Sequence, residues 1–166
     1  MNKQAILTVD LGFGDAGKGS IIDFLAREHN AHTVVRFNGG AQAGHRVVAK
    51  QGEHVFSQFG SGTLAGARTH LSRFMLVEPL AMLAEAEHLM QLGIRDPFGM
   101  VTIDEKALIT TPFQRAVNRL KELARGNGRH GSCGMGIGET MADWIAHRGM
   151  CCFRPILTPP TPLRPN

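Results

Sequence analysis

The run Gly12-Phe13-Gly14-Asp15-Ala16-Gly17-Lys18-Gly19-Ser20 joins one apolar segment, Ala5-Ile6-Leu7-Thr8-Val9, to another, Ile21-Ile22-Asp23-Phe24-Leu25. The first segment is short, apolar and closed by glycine, which predicts a strand over 5–9. In the second, Ile21, Ile22 and Leu25 recur at near-helical spacing, which predicts a helix over about Lys18–Glu28. A glycine-rich turn at a strand-to-helix junction presents several backbone N–H groups to one anion, and the helix N-terminus adds its positive dipole end. This junction restricts the chain to folds in which helices cover a sheet, with a phosphate site at the turn.

The rest of the chain fits that restriction. Thr33-Val34-Val35-Arg36-Phe37 reads as the next strand, ending at Asn38-Gly39-Gly40. Strand, turn, helix and strand in this order predict an α/β fold with a central β-sheet and a site at the C-terminal ends of its strands. Val47–Ala49 and His54–Phe56 pair as a hairpin across Lys50–Glu53, and Ser61-Gly62-Thr63-Leu64 forms a loop. Pro79 opens a helix carrying Leu80, Leu83, Ala84 and Glu87, and Gly93 closes it. Val101–Ile103 is a further strand. Pro112 opens a helix with Ala116, Val117, Leu120, Leu123 and Ala124 along one side, ended by Gly126-Asn127-Gly128, and a last helix begins around Glu139 with Met141, Trp144 and Ile145. Residues 1–153 are expected to form one domain. Pro155, Pro159, Pro160, Pro162 and Pro165 make 154–166 an extended tail, because proline removes amide donors and disfavours helix.

Composition narrows the function classes. With 166 residues, 43% hydrophobic and 19% charged, the chain is long enough for a real core. A net charge of +4 and the absence of tyrosine supply neither a basic patch nor the aromatic platform of a nucleic-acid binder. No apolar run approaches the roughly 20 residues needed to span a bilayer, so no membrane partner is expected. Cys133, Cys151 and Cys152 make neither a disulfide framework nor a zinc spacing, which points to a reducing cytoplasm.

Three glycine-rich segments carry the candidate chemistry. Gly12, Gly17 and Lys18 satisfy the GxxxxGK spacing of a triphosphate loop, but Gly19 stands where a magnesium-binding Ser or Thr belongs and Ser20 comes one place late. Asp15 inside such a turn would repel phosphates unless it binds magnesium, meets a positive group or accepts a substrate proton. A brace for the turn through backbone hydrogen bonds is the structural alternative. In the second segment, Arg36 to His45, the imidazole of His45 suits general acid chemistry or hydrogen-bond donation, and Gly44 leaves its carbonyl accessible to a metal. In the third, Gly131 to Gly138, Ser132 either binds a phosphate or caps the turn.

Taken in order, Gly12–Gly19, Val34–Gly40, Ala43-Gly44-His45, Gly60-Ser61-Gly62 and Gly131–Gly138 resemble the N-terminal portion of adenylosuccinate synthetases. The resemblance implies an incomplete, P-loop-related nucleotide-binding fold and GTP-dependent ligation of IMP and L-aspartate, yielding adenylosuccinate, GDP and phosphate. It implies Asp15, His45 and Lys18 as catalytic residues, with Asp15 taking the hypoxanthine N1 proton and His45 and Lys18 supporting phosphoryl transfer. Nucleotide contacts fall on Gly12, Gly14, Asp15, Gly17, Lys18, Gly19, Asn38, Gly40, Gln42, Gly44, His45 and Ser132, and Mg2+ on Asp15 and the Gly44 carbonyl. GTP is the implied co-substrate, and a homodimer or a partner supplying missing regions the implied assembly. The chain departs from the family pattern at Ala16 (glutamate in the family), Arg46 (threonine) and Met135 (arginine), and family chains run more than twice its length. A noncatalytic purine-nucleotide-binding or regulatory protein, or one part of a split enzyme, is the alternative expectation.

Overall fold

Strand pairing centres on one long strand, and every other part of the fold is placed against it. In the computed structural model, which describes residues 4–147, the regular elements are α1 (Lys18–Glu28), β1 (Thr33–Gly39), β2 (His45–Ala49), β3 (Gly52–Phe56), β4 (Arg68–Val77), α2 (Pro79–Gln91), β5 (Val101–Ile103), β6 (Leu108–Ile109), α3 (Pro112–Ala124) and α4 (Ile137–Ala146). β1 runs parallel to β4 from Thr33 opposite Arg68 to Gly39 opposite Met75, with a register shift between Arg36 and Asn38. β5 pairs in parallel with Thr69–Leu71, and β6 with Leu76 and Val77 at the other end of β4. β2 and β3 form a separate antiparallel hairpin, His45 opposite Phe56 and Ala49 opposite Gly52. The fold is α/β with a central parallel sheet.

Parallel pairing places the ends of β1, β4 and β6 at one edge of the sheet, and the candidate segments follow from that edge. Asn38–His45 leaves the end of β1. Glu78 caps α2 directly after β4, its carboxylate accepting from Ala81 N–H at 3.0 Å. Thr111 caps α3 shortly after β6, in a reciprocal box with Gln114. Pro79 and Pro112 occupy first-turn positions, where a missing N–H costs nothing.

The main core lies between the hairpin, β4 and α2, and holds Phe56, Phe59, Leu71, Met75, Val77, Met82, Ala86 and Leu89. A smaller cluster of Ala26, Val34 and Ala67 fixes α1 on the sheet. Between β3 and β4 the chain leaves the ladder with its amides turned inward, and a buried carboxylate receives them. Glu85 on α2 accepts from Ser57 N–H at 3.1 Å, Ser57 Oγ–H at 2.8 Å, Gln58 N–H at 2.8 Å and Phe59 N–H at 3.0 Å. Buried Arg36 on β1 donates to the Phe59 carbonyl at 3.2 Å, so sheet, loop and helix meet at this point.

One expectation is corrected, and one orientation that the sequence leaves open is settled. Ala5–Val9 is not a strand: it has no regular structure, and Leu7 and Val9 are 82% and 69% exposed. An apolar run becomes a strand only when a neighbour supplies backbone partners, and none of the described strands pairs with this run. α3 has the expected apolar side, but that side faces outward, with Phe113, Val117, Leu120 and Leu123 exposed. Its polar side faces the protein instead. Gln114 donates to Asp143 at 2.9 Å, Arg115 to Glu78 at 3.3 Å and Asn118 to Ser132 at 3.0 Å, while Glu122 accepts from Gly131 N–H at 3.0 Å.

Helix Lys18–Glu28, the hairpin, and the helices opened by Pro79 and Pro112 lie where the sequence puts them. β1 extends two residues past Phe37, α4 begins at Ile137 rather than Glu139, and the two-residue β6 was not expected. The expected tail at 154–166, with Cys151 and Cys152, lies outside the described residues.

Glu85→Ala leaves three inward backbone amides without an acceptor. We expect it to destabilise the fold by about 3 kcal/mol or more, read as a lowered urea midpoint, with Glu85→Gln losing less because one acceptor oxygen remains.

Candidate functional site

The first glycine segment is held open by a residue not singled out in the sequence. Asp10 accepts the Gly12 N–H at 2.7 Å through Oδ1 and the Lys18 ammonium at 2.6 Å through Oδ2. These two donors, Lys18 foremost, hold the Asp10 carboxyl below the usual carboxylate range. A carboxylate two residues before the first glycine of a loop containing lysine was the available signal. With Asp10 bracing the turn, Asp15 is released from that role. Its carboxylate makes no hydrogen bond to another described residue, and it is exposed.

Backbone conformation shapes the loop. Gly14, Asp15 and Gly17 have φ of 97°, 50° and 68°, a left-handed region costly for a residue bearing a Cβ. Asp15 is therefore a non-glycine residue kept in a strained turn position, a pattern that clusters at functional sites. Gly17 is the N-cap of α1 and lends no side chain, and the first turn carries no acidic residue. The first amides of α1 are thus left available for an external anion.

Close approach then joins the first segment to the second. A Cβ on Gly19 would stand 2.6 Å from His45 Cβ and 3.1 Å from His45 Cα, so only glycine lets α1 rest on the start of β2. Ser20 Oγ–H donates to the Arg46 carbonyl at 3.2 Å and reinforces the same contact. The second segment reaches the third at Gly40, where a Cβ would meet Ile137 Cδ1 at 2.7 Å and the Leu76 carbonyl at 3.1 Å. Asn38, Gln42 and Gly44 are exposed on the connecting stretch, and Gly39 turns it with φ 94°. Ser132 is exposed and accepts from Asn118; it borders a cavity of about 490 Å³ with Arg119, Arg129 and Cys133.

His45 is half-buried at the head of β2. Burial pushes its imidazole below the ordinary value, the positive charges of Arg36 and Lys18 push the same way, and Glu85 partly opposes them. His45 is accordingly neutral at neutral pH, able to donate through one ring nitrogen and accept through the other. Arg46, the departure beside it, is engaged across the hairpin with Glu53 through two contacts of 2.5 and 2.7 Å. Among the described residues no three His, Cys, Asp or Glu side chains converge on a metal position, and no helix is long and apolar enough to cross a membrane.

Comparison with known proteins gives one consistent result. Residues 7–155 match the family model described as adenylosuccinate synthetase. The adenylosuccinate synthetase of Clostridium botulinum (strain Langeland) is 33% identical over 148 residues, 89% of this chain and 34% of that protein. The Borrelia turicatae enzyme is 36% identical over 138 residues, 83% of this chain and 31% of its own. The fully ligated adenylosuccinate synthetase of Plasmodium falciparum superposes with a TM-score of 0.72 at 24% identity, covering 85% of this chain and 32% of that one. The cyanophage S-2L succinoaminodeoxyadenylate synthetase, bound to dGMP and to dATP as an energy donor, gives 0.67 at 22% identity over 88% of this chain and 39% of its own. The chain thus spans about a third of the length of the curated relatives it matches.

Two outcomes test the site geometry. Gly19→Ala should destabilise by about 1–3 kcal/mol, because His45 Cβ and backbone must move to admit the methyl group. His45 should titrate by NMR below the free imidazole value of about 6.5. In the unfolded chain it binds its proton first as pH falls, so its contribution to stability is full above about 6.5 and declines below that. His45→Gln should remove this part of the acid sensitivity of the urea midpoint.

Proposed function

Because the chain belongs to the adenylosuccinate synthetase family, we propose that it carries the phosphoryl-transfer portion of a GTP-dependent ligation of IMP and L-aspartate. The observation that supports this most is the contact of Gly19 with His45, which sets the open N-terminus of α1 beside a neutral imidazole. In this reading the uncommitted Asp15 carboxylate takes the N1 proton of the hypoxanthine. The base oxygen then bonds to the γ-phosphorus of GTP as the bond to GDP breaks. His45 hydrogen-bonds the transferring group, and Lys18 exchanges Asp10 for phosphate oxygens. The amine of aspartate finally bonds to C6 and displaces phosphate. Asp15 and the Gly44 carbonyl are oxygen donors of the kind magnesium prefers, and the ion would supply charge neutralisation on the phosphates. Rate enhancement then comes from positioning and charge stabilisation. Gly12, Gly14, Gly17, Gly19 and Gly40 would supply backbone contacts to nucleotide, Asn38 and Gln42 would approach IMP, and Ser132 would contact its phosphate.

A second reading is favoured by the outward face of α3. Phe113, Val117, Leu120 and Leu123 are exposed there, an apolar face of the kind that a second copy or another polypeptide covers. In this case the chain alone binds purine nucleotide and turns over only with that partner. Ala16, Arg46 and Met135 fit such a change of role.

The test is coupled turnover by the purified chain with IMP, GTP, magnesium and aspartate, omitting each in parallel, with ATP replacing GTP in one arm. Adenylosuccinate formation that depends on every component and falls at least ~100-fold in Asp15→Ala is the expected outcome for retained chemistry. Nucleotide binding without product by the folded chain, with turnover restored by the remaining portion of a relative, assigns the second reading.

A further inference from the structure

His54 is buried on the inner side of β3, and its Nδ1 stands 2.9 Å from Nδ1 of His88 on α2. The two rings are tilted by 31° with centroids 4.9 Å apart. The other nitrogen of His54, Nε2, is buried without a hydrogen-bond partner, 3.6 Å from Oε1 of Glu85. These groups border a cavity of about 510 Å³ together with Glu53 and Ser57, away from the glycine loops. The reaction proposed above uses neither histidine.

The surroundings assign the hydrogens. A carboxylate facing Nε2 favours the tautomer with its hydrogen on Nε2, which leaves the Nδ1 lone pair of His54 aimed at His88. His88 completes the contact by donating its own Nδ1 hydrogen. Two imidazole nitrogens arranged in this way become a chelating pair when that hydrogen leaves and the rings turn their lone pairs toward a common point. Ligand nitrogens on one tetrahedral zinc ion stand about 3.3 Å apart with both lone pairs aimed at the ion, so ligation requires each ring to retreat by a few tenths of an ångström and to turn its Nδ1 toward the cavity. A carboxylate behind a ligating imidazole is also the partner that orients such ligands and raises their basicity.

We propose that His54 and His88 form a chelating site for a divalent transition-metal ion, zinc or copper, with Glu85 orienting His54 and water on the cavity side completing the shell. Two protein nitrogens bind such an ion while discriminating against magnesium, which takes oxygen ligands. The ion ties the hairpin that begins at His45 to α2. The site is independent of nucleotide binding, and its test is independent of turnover.

The full chain, stripped with chelator, is titrated with Zn2+ and separately with Mg2+, reading heat of binding, thermal midpoint and imidazole 15N resonances. One equivalent of Zn2+ should bind, raise the midpoint and move the Nδ1 resonances of His54 and His88, and Mg2+ should do none of these. His88 is exposed on its helix, so His88→Gln should fold and bind Zn2+ at least tenfold more weakly, whereas His29→Gln, a change at another exposed histidine, should bind normally. No Zn2+ binding by about 100 μM, or binding unchanged in His88→Gln, overturns the site and leaves an N–H···N hydrogen bond alone.

Discussion

The structure depends on one buried carboxylate. Glu85 takes three backbone amides and one hydroxyl from the stretch Ser57–Phe59, where the chain passes from the hairpin toward β4. Burying a carboxylate is costly unless its oxygens are fully used, and burying three unpaired amides is costly as well. Each cost cancels the other. The Phe59 carbonyl, held by the same turn, accepts from Arg36, and the charges of Arg36 and Glu85 both reach His45. The position of the hairpin, and with it the state of the candidate imidazole, is therefore set from beneath the site.

Above that foundation the site is assembled largely by what glycine omits. Gly19 allows helix α1 to rest on His45, and Gly40 allows the second segment to pass between Ile137 and the end of β4. A Cβ at Gly19 would press on the His45 Cβ and backbone, whereas at Gly40 it would meet the tip of Ile137 first. Asp10 then fixes the loop by holding Lys18 and the Gly12 amide, so Asp15 keeps an uncommitted carboxylate in a left-handed turn. A family relation covering residues 7–155 gives this arrangement its chemical context.

α3 shows how a local pattern leaves its orientation open. Its apolar stripe follows helical spacing, yet Gln114, Arg115, Asn118 and Glu122 on the other side find fixed partners in Asp143, Glu78, Ser132 and Gly131. Those inward partners fix the orientation of the helix and leave four apolar side chains exposed. The leading segment Ala5–Val9 is a similar case, apolar enough for a strand but not paired with any described strand.

By itself the sequence determined the features with short-range causes. Apolar spacing set α1, prolines at first-turn positions started α2 and α3, and the glycine turn after an apolar run marked the start of α1. The ordered motifs also carried the family. Tertiary structure alone decided which polar groups meet: Asp10 with Lys18, Glu85 with Ser57–Phe59, and His54 with His88. It also decided which side of α3 faces inward and that Ala5–Val9 stays unpaired. The physical reason is that helix and turn propensities act within a few residues. A strand, a buried carboxylate or an imidazole pair acquires its state from groups that only the folded chain brings near.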